Sequence, residues 1–187
     1  SSCSADRDGI DGFDPAVGFD AALGHGMIGG VGFRETSIPM IIHITDNVSH
    51  DGDDYDMLDV DAHMAVDTFA ELGAIGAYVI GVRTGSAAMS TDSSDVLYPL
   101  GMAVATGAEV PVCAFDGSPA RTAGTCAATE CCTGISGAGV APLATGDCPL
   151  VFDVADDGTG LNDSIVSGIE ALSRFASYDV EAEPRDD

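Results

Sequence analysis

The stretch that most constrains this chain is Ile38 to Asp61, IPMIIHITDNVSHDGDDYDMLDVD. Pro39 to Ile44 is almost wholly apolar, and Thr45-Asp46 follow at once. A short run rich in Ile reads as a strand buried on both faces, as inside a parallel sheet. Open α/β sheets bind their ligands at the carboxyl ends of the strands, where Asp46 is placed. The chain then turns acidic, with Asp51, Asp53, Asp54, Asp56, Asp59 and Asp61 in close succession.

The remaining apolar runs alternate with helical periodicity. Asp14-Pro15 can open a helix, with Asp14 as N-cap and Phe19, Ala22 and Leu23 on its apolar face. Leu58, Ala62, Ala65, Phe69 and Leu72 recur at steps of three and four, predicting a helix over 56–72 with Gly73 as its C′ residue. A second buried strand is expected over 74–82. A helix capped by Ser94 or Asp95 follows and stops at Gly107, with Pro99 in its first turns. Val110–Phe115 and Pro149–Val154 read as further strands. A last helix, capped by Asn162 and stapled by Leu161 and Val166, runs on Ile165, Ile169, Leu172 and Ala176. Tyr178–Glu183 alternates weakly and reads as a final strand. The order strand, helix, strand, helix, strand predicts an α/β fold: a mainly parallel sheet flanked by helices, with right-handed crossovers.

The 187 residues suit one domain with a sizeable core. A formal charge of −25 sets 31 acids against six arginines and no lysine. Such a surface repels nucleic acid and anionic membranes. Two explanations stand: carboxylates clustered for calcium, or an acidic surface suited to salty water, where self-repulsion is screened. No apolar run has the length of a membrane span. No signal peptide is read, and the start at SSCSADRDG leaves room for a leader removed or lying upstream.

Of the cysteines, Cys113, Cys126, Cys131, Cys132 and Cys148 fall close together, and Cys3 lies apart. An even count within a Gly/Ala/Thr-rich segment favours disulfides formed in an oxidising compartment. Zinc knuckles require paired thiolates at a spacing these gaps do not supply. Residues 116–147 therefore read as a disulfide-held loop insertion, its connectivity open.

Several words, in order, resemble the von Willebrand factor A domain, closest to the I-like domain of integrin β subunits and its bacterial relatives. They are GFDPAVGFDAALGHG (12–26), GFRETSIPMIIHITD (32–46) and LYPLGMAVATGAEVPV (97–112). The resemblance covers about residues 10–175, giving a partial domain over 1–176 and a linker or start of a following segment over 177–187. It implies a magnesium or calcium ion at the carboxyl ends of the strands, with a partner's carboxylate completing its coordination. Asp46 matches the family's Asp after its fourth strand. Asp11 matches a position beside an adjacent cation, although Phe13 replaces the Asp that follows there. The middle-loop Glu falls on Ala16, with Asp14 one residue from that position. No DxSxS motif precedes Asp46. The family's first strand, which lies against the strand that 38–45 resembles, is therefore not read here. The resemblance implies a binding or adhesion module, extracellular or in the cell envelope, which recognises a protein through a surface containing Asp46, Asn47 and His50. The partner could equally be the missing N-terminal half of its own domain.

Other patterns stand beside this one. His50 and His63 flank the acidic cluster, and Asp46, His50 and Asp54 define a metal-dependent hydrolase as an alternative reading. Their spacing matches no metallohydrolase motif, and a loop and a helix-surface histidine are the plainer account. His43 within the strand reads as a hydrogen-bonded core histidine. Asp51–Asp56 lacks the Gly and Glu of an EF-hand and reads as a solvated helix start. Asp153, Asp156 and Asp157 suggest calcium or a turn before a helix. No G-x-S-x-G nucleophile elbow occurs. A third reading is a purely structural domain of a larger surface protein.

Overall fold

A computed structural model describes residues 38–54 and 63–175. The helix from Asp14, the segment Asp56–Ala62, Cys3, Asp11 and the strand at 178–183 lie outside them. The described chain is a small mixed α/β domain. Strand β1 (Met40–Thr45), helix α1 (Ala65–Ala74), β2 (Tyr78–Arg83) and α2 (Pro99–Ala105) come first. Then follow β3 (Glu109–Pro111), α3 (Pro119–Ala123), β4 (Asp147–Pro149), β5 (Val151–Asp153) and α4 (Leu161–Phe175).

The sheet has the order β1-β2-β5, parallel throughout. β3 and β4 form a separate antiparallel pair. The apolar run at Val110 thus does not join the parallel sheet. Glu109–Pro111 pairs backwards with Asp147–Pro149, and Val112–Phe115 winds into a 3₁₀ turn. Pro111 accounts for the break, since it has no N–H with which to continue a ladder. Leu150 links the two sheets: its N–H bonds Ala108 and its carbonyl accepts from Gly81.

Alternation along β5 divides the core. Leu150 and Phe152 pack with Ile80, Leu172 and the disulfide cysteines, on the side of α4. Val151 packs with Ala103 and Ala108, on the side of α2. Burying a side chain such as Ile80 or Leu172 contributes roughly 1.5–3 kcal/mol. α4 reaches the sheet because Gly168 has no side chain: a Cβ there would lie 2.9 Å from Phe152 and 3.0 Å from Ile80. The buried face of α4 is therefore Gly168, Ala171 and Leu172. Ile169 and Val166 stay exposed, so the predicted apolar face is rotated and no staple forms. Asn162 lies inside the helix, and Gly160 supplies the carbonyl for Ser164 N–H.

α1 does not stop at Gly73. It runs on to Ala74, and Gly76 takes the left-handed conformation at φ 65°. Ala77 N–H bonds Leu72 and Gly76 N–H bonds Gly73, which together are a Schellman closure. α2 closes in the same way at the predicted Gly107, with Ala108 N–H on Ala103 and Gly107 N–H on Val104. Its start is later than Ser94 or Asp95. Pro99 holds the first helical position, and Tyr98 is extended, as a residue before proline must be.

β1 is not buried on both faces, as its apolar run taken alone predicts. Among the described residues it is the sheet edge, half-buried along most of its length, with Ile44 53 % exposed. A strand with a neighbour on one side only cannot be buried as a central strand is. His43 Nδ1 is buried with no hydrogen-bond partner, where a bonded core histidine was expected.

The insertion contains α3, capped by Ser118, and an isolated bridge between Cys131 and Val140. Disulfides join Cys126 to Cys132 and Cys131 to Cys148. Cys113 pairs with none of these and is exposed and free among the described residues. The Arg121 guanidinium, 9 % exposed, stitches the loop by donating to the carbonyls of Val112, Ala127 and Glu130.

Candidate functional site

The register brings Thr45, Arg83 and Asp153 to one level at the carboxyl ends of β1, β2 and β5. Arg83 Nε donates to Asp153 Oδ1 at 2.6 Å, and both side chains are only 13 % exposed. Nη1 donates to Ser90 O at 3.3 Å. One residue further on, Thr84 Oγ1 donates to Asp156 at 2.6 Å. Two charged residues that close apolar runs in sequence thus become a neutral, nearly buried pair. The apolar runs ending in a charge of each sign are the sequence signal for it, legible only once the two strands are known to be neighbours.

Asp46 leaves the edge strand beside this pair, exposed, with its backbone carbonyl 3.2 Å from where a Cβ of Gly85 would stand. Thr45 and Asn47 close a local turn, Thr45 Oγ1 donating to Asn47 O and accepting from Asn47 N–H. Asn47 Oδ1 accepts from Val48 N–H. Ser49 N–H ties this loop to Leu97 O. His50 is exposed, its Nδ1 3.8 Å from Asp54 Oδ2. Asp46, Asn47 and His50 therefore share one loop at the carboxyl edge, whereas Asp11 and Asp14 lie outside the described residues.

The acidic loop has a structural task. Asp51 Oδ1 accepts 2.7 Å bonds from Gly52 and from Ala65, the first residue of α1. It caps that helix from fourteen residues upstream. His63 is exposed just before it. Asp153, Asp156 and Asp157 are spent on Arg83, Thr84 and the Thr159 N–H respectively. The bonds from Thr159 hold the Asp157 carboxyl below the usual range. Among the described residues no group of three metal-ligating side chains converges. Asp46 by itself does not make the oxygen shell that magnesium or calcium requires.

Beside the Arg83–Asp153 pair lies a cavity of about 280 Å³. Leu100 of α2, Val151 of β5, and Val140 and Leu143 of the insertion line it. Thr133 also lines it. Nothing in the local sequence singles out Thr133, because it reaches the cavity only through the folding of the disulfide loop.

No protein-family model matches the chain, and neither a curated protein nor a solved structure matches it.

Proposed function

We propose that the chain is a non-enzymatic binding domain of the von Willebrand factor A type, which holds a protein partner at the carboxyl edge of its parallel sheet. One observation carries this reading: Thr45, Arg83 and Asp153 share a level, and the exposed Asp46–His50 loop emerges beside them. That is the edge at which open α/β sheets place ligands. The two disulfides of the insertion suit an oxidising, extracellular or bacterial cell-envelope location. Among the described residues β1 is a sheet edge, which suits a partner segment, or the upstream part of the same domain, as its neighbour. Magnesium or calcium would take Asp46 as one ligand. The described residues do not complete such a site, and recognition through this loop does not depend on it.

A photo-crosslinker at Asn47 tests the reading, with Ser173 of α4 as the control position. The expected result is a crosslinked partner at Asn47 alone, competed by unlabelled chain and lost in Asp46→Ala. Equal capture at both positions, or no effect of Asp46→Ala, overturns it.

A further inference from the structure

We propose that the cavity under the disulfide loop binds a small neutral ligand with an amide head and a branched apolar body. The site adjoins the Asp46 loop through Arg83 and Asp153 but takes a different ligand and does not rest on the family reading.

Arg83, Asp153 and Thr133 line the cavity beside Ser90 and Thr91 and supply the groups that would meet a ligand's head. Arg83 spends Nε on Asp153 and Nη1 on Ser90, and its Nη2 makes no hydrogen bond among the described residues. Asp153 spends Oδ1 on Arg83, and Oδ2 makes none among the described residues. The pair therefore presents spare N–H donors on Arg83 and a spare acceptor on Asp153, with no net charge. Thr133 is 3 % exposed, and its hydroxyl has no hydrogen-bond partner among the described residues, although its carbonyl accepts from Asp153 N–H. The hydroxyl opens into the cavity, where it can donate to or accept from a bound molecule.

Charge selects the ligand class. A carboxylate entering here would meet Asp153 inside a chain of net charge −25. A cation would meet Arg83. A carboxamide meets neither penalty: its carbonyl accepts from Arg83 and its N–H donates to Asp153 or Thr133. The remaining walls, Leu100, Val140, Leu143 and Val151, suit a branched aliphatic group. The volume of about 280 Å³ lies at the lower end of small-molecule pockets and admits roughly one capped amino acid.

Methyl NMR of the full chain with N-acetyl-L-leucinamide tests this. Saturating shifts at Leu100, Val140 and Leu143 are expected, with a Kd on the order of 1 mM for a ligand of this size. Thr133→Val should weaken binding about fivefold, the loss of a single hydrogen bond. Ala141→Trp, at an exposed lining residue, should abolish it and remains informative if Thr133→Val does not fold. N-acetyl-L-leucine should bind at least about tenfold more weakly, because its carboxylate faces Asp153. A capped Ala-Leu-Ala peptide that binds as well as the single residue identifies a peptide segment as the source. Exclusion of that peptide identifies a free small molecule. Absence of saturating shifts, equal binding of the carboxylate, or unchanged binding in Ala141→Trp overturns the proposal.

Discussion

Arg83 and Asp153 face each other across β2 and β5 in exact register, 2.6 Å apart, and each is 13 % exposed. Removing one partner leaves the other charge nearly buried without compensation. Asp153→Ala should therefore cost about 3–5 kcal/mol, read as a lower urea midpoint. Arg83→Met combined with Asp153→Leu should recover most of the loss, because a buried pair adds little net stability over an apolar one. A double variant as unstable as the single one would show that the pair is not the cause.

The disulfides should differ in weight. Cys131–Cys148 spans 17 residues and Cys126–Cys132 spans 6. Loop-closure entropy predicts a loss of about 3 kcal/mol on removing the longer crosslink and about 2 kcal/mol for the shorter. Thermal unfolding of the two paired Cys→Ala variants checks the order.

His43 should make stability fall in acid. Burial lowers its pKa in the folded chain. The unfolded chain then takes up the proton first, so stability is complete above the ordinary value of about 6.5. It declines as pH falls from there towards the folded value. Relative to His43→Phe, the wild-type chain should lose stability between about pH 7 and pH 5. A difference that stays flat over that range would contradict the burial of Nδ1.

Glu109 should act in the opposite sense. Burial, and then the charge of Asp147 on the paired strand, raise its pKa. The folded chain binds this proton more tightly than the unfolded one, so ionisation destabilises as pH rises through the folded value. Glu109→Gln should raise the melting temperature at neutral pH. The gain should vanish below about pH 4, where the glutamate is protonated in both states.

The sequence alone determined the elements whose signals are local. Apolar runs located β1, β2 and β5, and periodicity with Pro99 and Gly107 located α2. The alternation of strands with helices gave the α/β class, and the crowding of cysteines marked residues 116–147 as a crosslinked insertion. These are decided by backbone sterics and by the spacing of apolar side chains. Tertiary structure decided everything that depends on which segments become neighbours. Gly76 rather than Gly73 ends α1 because the chain must turn there into β2. Val110 pairs backwards with Cys148 because Pro111 closes the ladder and the segment from Asp147 to Asp153 serves two sheets. Asp51 caps a helix that starts fourteen residues later, and Arg83 meets Asp153 across seventy residues of chain. No local pattern encodes such meetings. They follow from burying two faces of one sheet at once, which fixes where every charged strand end must find its partner.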